Sequence, residues 1–285
     1  MEKGHFVTIP VIVSTGSLWL MDTAYTFELA AEAGYDGVEV MCDDRYSTRD
    51  HRYLKRLSSD HNLPIVALHT PFSTRLMGWG HGDTEPGKVR HTVELAEKTD
   101  ARRIVVHLPQ RYSRASVSVG PLRTRFPWFE RGDFKQWMAN GGLKGLQAET
   151  TVEIAVENMP TARLWGREVN ATWWNTIETW SAVHDHLTLD TTHWATFGID
   201  PVVPLRAAGG RVKHIHLSNY ENGREHRLPQ SGEVDLAAFL RELVIMNYTG
   251  SLSVEVNPDA LAFDMPKATR RKLRETLDFC RTHLA

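Results

Sequence analysis

Long apolar runs are missing from this chain. No stretch approaches the roughly 20 apolar residues that a membrane span needs. The opening MEKGHFVTIPVIVSTG carries no apolar core of the kind a secretory leader uses. No membrane partner and no export signal are therefore expected. Cysteine is almost absent as well. Cys42 and Cys280 make no disulfide framework, which points to a reducing, cytoplasmic location. An excess of charge of either sign is lacking too: the formal net charge is −2, so bulk charge gives no hold on a nucleic acid and none is expected as a partner. No linker rich in Pro, Gly or Ser divides the 285 residues. The expectation is one domain, 1–285, of a size normal for a closed α/β barrel.

What is present is a strand–helix alternation along the whole chain. Strands are expected near 7–13, 37–41, 64–69, 103–108, 152–158, 187–191, 212–218 and 251–256. Helical patterns follow near 23–33, 50–60, 87–98, 134–149, 172–184, 201–208, 235–246 and 267–283. Such alternation argues for a parallel sheet with crossover helices. Eight units fit a closed (β/α)8 TIM barrel, and an open doubly wound sheet is the alternative.

The strand ends carry the chemistry. Glu157 closes VEIAVENM, Asp190 closes LTLDTTH, His216 lies in VKHIHLSN and Glu255 in SLSVEVNP. In each, the large apolar residues occupy one parity and the polar residue the other. Side chains alternate faces along a strand, so each polar group points away from the apolar layer. Glu39, His69 and His107 repeat the pattern earlier in the chain. Three carboxylates converging on one barrel mouth would repel one another in a dry pocket, and a bound cation lets all three ionise. Three carboxylates with one imidazole suit Mn²⁺, Mg²⁺ or Co²⁺, and Zn²⁺ is also compatible. Glu157, Asp190, His216 and Glu255 are thus the candidate metal ligands. His214 shares a face with His216 but lies one layer deeper, as a hydrogen-bonded group behind the ligand. His69 and His107 line the substrate pocket or bind a second metal with Glu157. His193, three residues after Asp190, points into the same mouth.

Residues 109–133 form an unusually long connection between the fourth strand and its helix. They hold Arg111, Arg114, Arg123, Arg125 and Arg131 among several aromatics. A lid over an anionic substrate is one reading, and a solvated insertion or a contact between copies in a homo-oligomer is the other. Trp165 follows the Glu157 strand directly and is a candidate substrate contact. Trp173 and Trp174 are expected to be core packing.

The set Glu157, Asp190, His216 and Glu255, with His193 in the phrase DTTH, resembles the xylose isomerase-like barrels of sugar isomerases and epimerases. The separations of 33, 26 and 39 residues (157 to 190, 190 to 216, 216 to 255) are similar to those of ketose 3-epimerases. The stretch from His226 to Val256 is similar to that superfamily's loop, helix and last metal strand, although Gln230 stands where the loop's first glycine is usual. The resemblance implies a metal-dependent isomerase or epimerase of a sugar, sugar phosphate or cyclitol, working through a metal-stabilised enediolate. It places Glu157 and Glu255 in the catalytic acid/base roles. It also implies that His193 and Arg227 contact the substrate, with His69, His107 and His226 lining the same pocket. Asn158 stands where 3-epimerases tend to carry a second glutamate.

Endonuclease IV shares this barrel. His69, His107, Glu157, Asp190, His193, His216, His226 and Glu255 can be laid on eight of its nine zinc ligands, with Arg224 in place of the ninth, an aspartate. A metal-dependent phosphodiesterase is therefore a second reading. A non-catalytic accessory barrel is a third.

Overall fold

A computed structural model describes residues 8–71, 79, 84–119, 122–129, 132–164 and 166–285. The chain runs through β1 (Val11–Ser14), α1 (Thr23–Ala33), β2 (Val38–Met41), α2 (His51–Asp60), β3 (Ile65–His69), α3 (Glu85–Thr99) and β4 (Arg103–His107). A hairpin of β5 (Tyr112–Val119) and β6 (Leu122–Phe129) follows, then α4 (Asp133–Ala139), α5 (Gly142–Ala148) and β7 (Glu153–Glu157). A short hairpin of β8 (Ala162–Leu164) and β9 (Arg167–Val169) precedes α6 (Ile177–Val183), β10 (Leu187–Asp190), α7 (Thr191–Ala195) and α8 (Val202–Ala208). The last elements are β11 (Val212–Leu217), the hairpin β12 (Asn219–Glu221) and β13 (Arg224–Arg227), α9 (Leu236–Ile245), β14 (Ser251–Val254) and α10 (Pro266–Leu284).

Eight of these strands close into a parallel barrel in the order β1-β2-β3-β4-β7-β10-β11-β14, with β14 pairing back on β1. The open-sheet alternative is excluded, and the fold is the (β/α)8 barrel.

Alternation explains what each face does. Ile154 and Val156, Leu187 and Leu189, Ile215 and Leu217, and Leu252 and Val254 join the buried cluster between sheet and helices. The opposite parity carries Ala155, Thr188, His214 and Ser253, which are equally buried and therefore face the barrel axis. Small and polar residues on that side leave room in the axis for large polar side chains. The helices stop and start where the sequence supplies caps. Asp22, Asp50 and Asp235 accept backbone N–H groups at the starts of α1, α2 and α9, and Gly34 ends α1 in the left-handed conformation.

Two expectations need revision. The helix expected over 134–149 is two, because Gly141 adopts φ 82° between α4 and α5. The helix expected over 172–184 is only Ile177–Val183. Thr176 starts it late with a reciprocal capping box to Thr179, and the β8–β9 hairpin takes up chain before it. The long connection 109–133 contains an antiparallel hairpin, Tyr112–Val119 against Leu122–Phe129, a pairing that the sequence did not suggest.

Candidate metal centre

The C-terminal ends of β7, β10, β11 and β14 bring Glu157, Asp190, His216 and Glu255 together. One donor atom from each lies within 4.8 Å of the others. All four side chains are buried. His216 is the hub: its Nδ1 lies 2.9 Å from Glu157 Oε1, 3.0 Å from Glu255 Oε2 and 3.8 Å from Asp190 Oδ2. Strand register accounts for this. Asp190 pairs with His216 across β10 and β11, and the Glu255 N–H donates to Leu217 O at the end of β11.

The charges are arranged around that imidazole. Burial alone would push the Glu157 carboxyl up, but the charge on His216 and hydrogen bonds from His107, His216 and His69 hold it well below the ordinary range. Glu255 is also lowered, burial being outweighed chiefly by His216. Burial pulls the His216 pKa down, yet Glu255, Glu39 and Glu157 together raise it well above that of a free histidine. Asp190 goes the other way. Burial pushes it up to about 8, with Glu157 and Glu255 adding to the rise against His226 and His216.

Asp190 Oδ1 accepts the backbone N–H of His193 at 2.9 Å, capping α7. Its Oδ2 is buried and has no hydrogen-bond partner among the described residues. A buried carboxylate oxygen without a donor is costly, and a cation in the middle of these groups would satisfy it. Three carboxylates and one imidazole are also a donor set that divalent cations take. The residues present fit a divalent metal ion.

Two further groups share members with the first. His69, His107 and Glu157 gather on one side, and Asp190, His193 and His226 on the other. His69 Nε2 and His107 Nε2 lie 3.3 and 3.2 Å from the same oxygen, Glu157 Oε2. The Nδ1 of His69 is 2.7 Å from the Thr70 carbonyl, which can only accept, so that nitrogen carries a proton. His193 Nδ1 donates in the same way to Asn158 O at 2.7 Å. This leaves Nε2 as the His193 nitrogen that could take a ligand or a substrate hydroxyl. His226, on β13 with φ 55°, has Nδ1 within 3.2 Å of both Ser218 Oγ and Glu255 O.

The expected substrate contacts thus divide. His69, His107, His193 and His226 all border the four-residue group. Arg227 stands on β13 with its Nη1 3.0 Å from Asp259 Oδ2, and Arg224 pairs with the same carboxylate, so both guanidiniums are held at the rim. Trp165 lies outside the described residues.

Asn158 has a structural part that its place after Glu157 did not reveal. Its Nδ2 donates to Asp190 O and its Oδ1 accepts the Asp190 N–H, at 3.1 and 2.8 Å. The amide therefore fastens the end of β7 to the end of β10. Glu39 was visible in the sequence as an inward residue, but nothing there linked it to His216. In the fold it reaches across the axis to His214 and His216.

A family model described as the xylose isomerase-like TIM barrel matches residues 27–283, and the chain belongs to that family. An uncharacterized protein of Mycobacterium leprae is 29% identical over 97% of this chain and 98% of its own length. Inosose dehydratase of Clostridium tetani is 25% identical over 80% of each chain. Among solved structures, the D-psicose 3-epimerase of Clostridium cellulolyticum H10, determined with D-tagatose, superposes with a TM-score of 0.68 over 97% of this chain and 99% of that one. At 15% identity that likeness is one of fold.

Proposed function

We propose that this protein is a metal-dependent isomerase or epimerase that moves a proton on a carbon next to the carbonyl of a sugar, a sugar phosphate or a cyclitol. The observation that carries the reading is the approach of two carboxylates, from strands on different sides of the mouth, to one point. Glu157 on β7 and Glu255 after β14 lie 2.9 and 3.0 Å from the same nitrogen of His216. Glu157, Asp190, His216 and Glu255 would hold the cation, with Mn²⁺, Mg²⁺ or Co²⁺ favoured by the oxygen-rich donors. When bound, it would act as a Lewis acid toward the carbonyl and an adjacent hydroxyl.

The chain's own groups supply the proton chemistry. Both glutamates are held in the ionised form, so either can accept a proton from carbon. A substrate carbon placed between them has one carboxylate to remove the proton and a second to return it. Return to the opposite face at the same carbon is epimerisation, and return at the neighbouring carbon is isomerisation. His193, fixed in one tautomer by Asn158 O, presents Nε2 for a substrate hydroxyl. Loss of a hydroxyl from the carbon beyond, after the same first proton transfer, would be a dehydration, the activity named for the Clostridium tetani relative.

The test is solvent exchange. A panel of ketoses, ketose phosphates and keto-cyclitols is incubated in D₂O with the metal-loaded protein and followed by NMR. The expected result is metal-dependent deuterium incorporation at a carbon next to the carbonyl. Glu157→Gln and Glu255→Gln should each abolish it while keeping much of the metal affinity, because an amide oxygen still coordinates but carries no proton.

One observation favours a second reading. The gathering of His69 and His107 on Glu157, and of His193 and His226 on Asp190, offers places for more than one metal, as a phosphodiesterase of the endonuclease IV kind would use. Arg224, tied to Asp259, stands where an acidic ligand would be needed. Cleavage of abasic-site DNA with no deuterium incorporation on any sugar would favour that reading.

A further inference from the structure

Beneath the four candidate ligands the barrel axis holds a second polar group, on which the reaction itself makes no demand. Glu39 projects inward from β2 and is wholly buried. Its carboxylate meets two histidines of β11. His214 Nε2 lies 2.9 Å from Oε2, and His216 Nε2 lies 3.1 Å from both oxygens. On its other side His214 Nδ1 is 2.7 Å from Ser251 Oγ, and that hydroxyl is 3.0 Å from Arg103 Nη1. Arg103 continues to Glu153 at 3.0 Å. A hydrogen-bonded column thus descends from the mouth toward the other end of the barrel.

Donor and acceptor roles along the column are fixed by chemistry. A guanidinium only donates, so Ser251 Oγ accepts from Arg103 and its own proton is free to go to His214 Nδ1. His214 then carries its proton on Nε2 and donates it to Glu39. The Glu39 carboxylate only accepts, so His216 must also present a protonated Nε2 to it. The ring nitrogen left without a proton when His216 is neutral is Nδ1, the atom that faces Glu157, Glu255 and Asp190.

We infer that Glu39 is the positioning residue of the metal centre: held by the Arg103–Ser251–His214 column, it fixes the ring and tautomer of His216 so that Nδ1 is the ligating atom. The inference rests on the metal centre proposed above and adds its inner support. Metal-bound histidines commonly donate their other N–H to a carboxylate, which orients the ring and raises its basicity. Here one carboxylate serves two imidazoles at once, which makes it sensitive to loss of symmetry. In Glu39→Gln one oxygen becomes an NH₂ group. Because His216 Nε2 lies 3.1 Å from both oxygens, that NH₂ group sets a donor against the His216 N–H whichever way the amide turns, so the ring must move or change tautomer.

Two measurements test this. In uniformly ¹⁵N-labelled wild-type protein loaded with Mg²⁺ or Zn²⁺, long-range ¹H–¹⁵N correlation should show His216 protonated at Nε2 and bare at Nδ1. Titration calorimetry with Mn²⁺ should show the affinity of Glu39→Gln reduced about 10- to 100-fold, the range for loss of such a supporting partner. A proton on Nδ1 in the loaded wild type would overturn the inference, and so would unchanged affinity in a folded Glu39→Gln protein. If that variant does not fold, the wild-type spectrum decides alone. Failure of the wild type to bind any divalent ion would instead strike the metal centre itself, and the role of Glu39 with it.

Discussion

Before a divalent ion can occupy this centre, two protons must leave it, and that number can be measured. In the metal-free protein His216 is the positive charge among the carboxylates: despite burial, Glu255, Glu39 and Glu157 raise its pKa well above 6.5. Its Nδ1–H sits between Glu157 and Glu255, where the cation would go. Asp190, pushed up to about 8 chiefly by burial, holds the second proton. Ligation needs a bare Nδ1 and an ionised Asp190, so both protons are released on binding. One pH unit below its pKa, Asp190 is about 0.9 protonated, and one unit above it about 0.1. Metal binding near pH 7 should therefore release about 1.9 protons, and near pH 9 the Asp190 share should fall by about 0.8. The apparent association constant should climb by close to two powers of ten per pH unit near pH 7, with the slope easing by nearly one above the Asp190 pKa. Titration calorimetry of Mn²⁺ in buffers of different ionisation enthalpy gives the proton count directly. Asp190→Asn should lower the count by about one and remove the change between the two pH values. Release of no protons near pH 7, or an affinity independent of pH, would refute the reasoning and place the ion elsewhere.

Asp190→Ala and His216→Ala should each lose the bound metal while keeping the far-ultraviolet circular dichroism of the barrel. Full occupancy by elemental analysis in both would contradict the ligand assignment. Because the folded pKa of Asp190 lies above its unfolded value of 3.8, stability is lost as pH rises through the window up to about 8. Metal-free wild type should therefore lose stability relative to Asp190→Asn over that window, read as the difference between their denaturant midpoints. Asn158→Ala removes two hydrogen bonds to the Asp190 backbone and should destabilise the protein by about 2–3 kcal/mol in denaturant melts. Replacing the hairpin 112–129 by a short glycine link should raise KM for an anionic substrate if the hairpin covers the mouth, and unchanged kinetics with an intact fold would mark it as an insertion.

The sequence exposed this site unevenly, and the reason is the range of the interactions involved. Each candidate ligand could be found locally, because a strand of period two with one polar residue at its end states which face that residue takes. Register then did the rest. Asp190 and His216 become neighbours simply by being opposite on parallel strands. Closure of the barrel was also legible, since eight strand–helix units leave few other arrangements. What stayed hidden depends on partners far apart in the chain that meet only in the axis. Glu39 and His216 are separated by 177 positions and touch because β2 and β11 face each other across the barrel. Nothing in GVEVM distinguishes a carboxylate that ligates from one that holds a ligand's other nitrogen. The helix boundaries that moved did so at Gly141 and Thr176, where backbone conformation and a cap overrode an apolar pattern that continued on both sides. Hydrophobic period reports which face is buried. It does not report where the backbone hydrogen bonds stop, and in this chain those stops decide where the outer helices lie, while the strand ends carry the four candidate ligands.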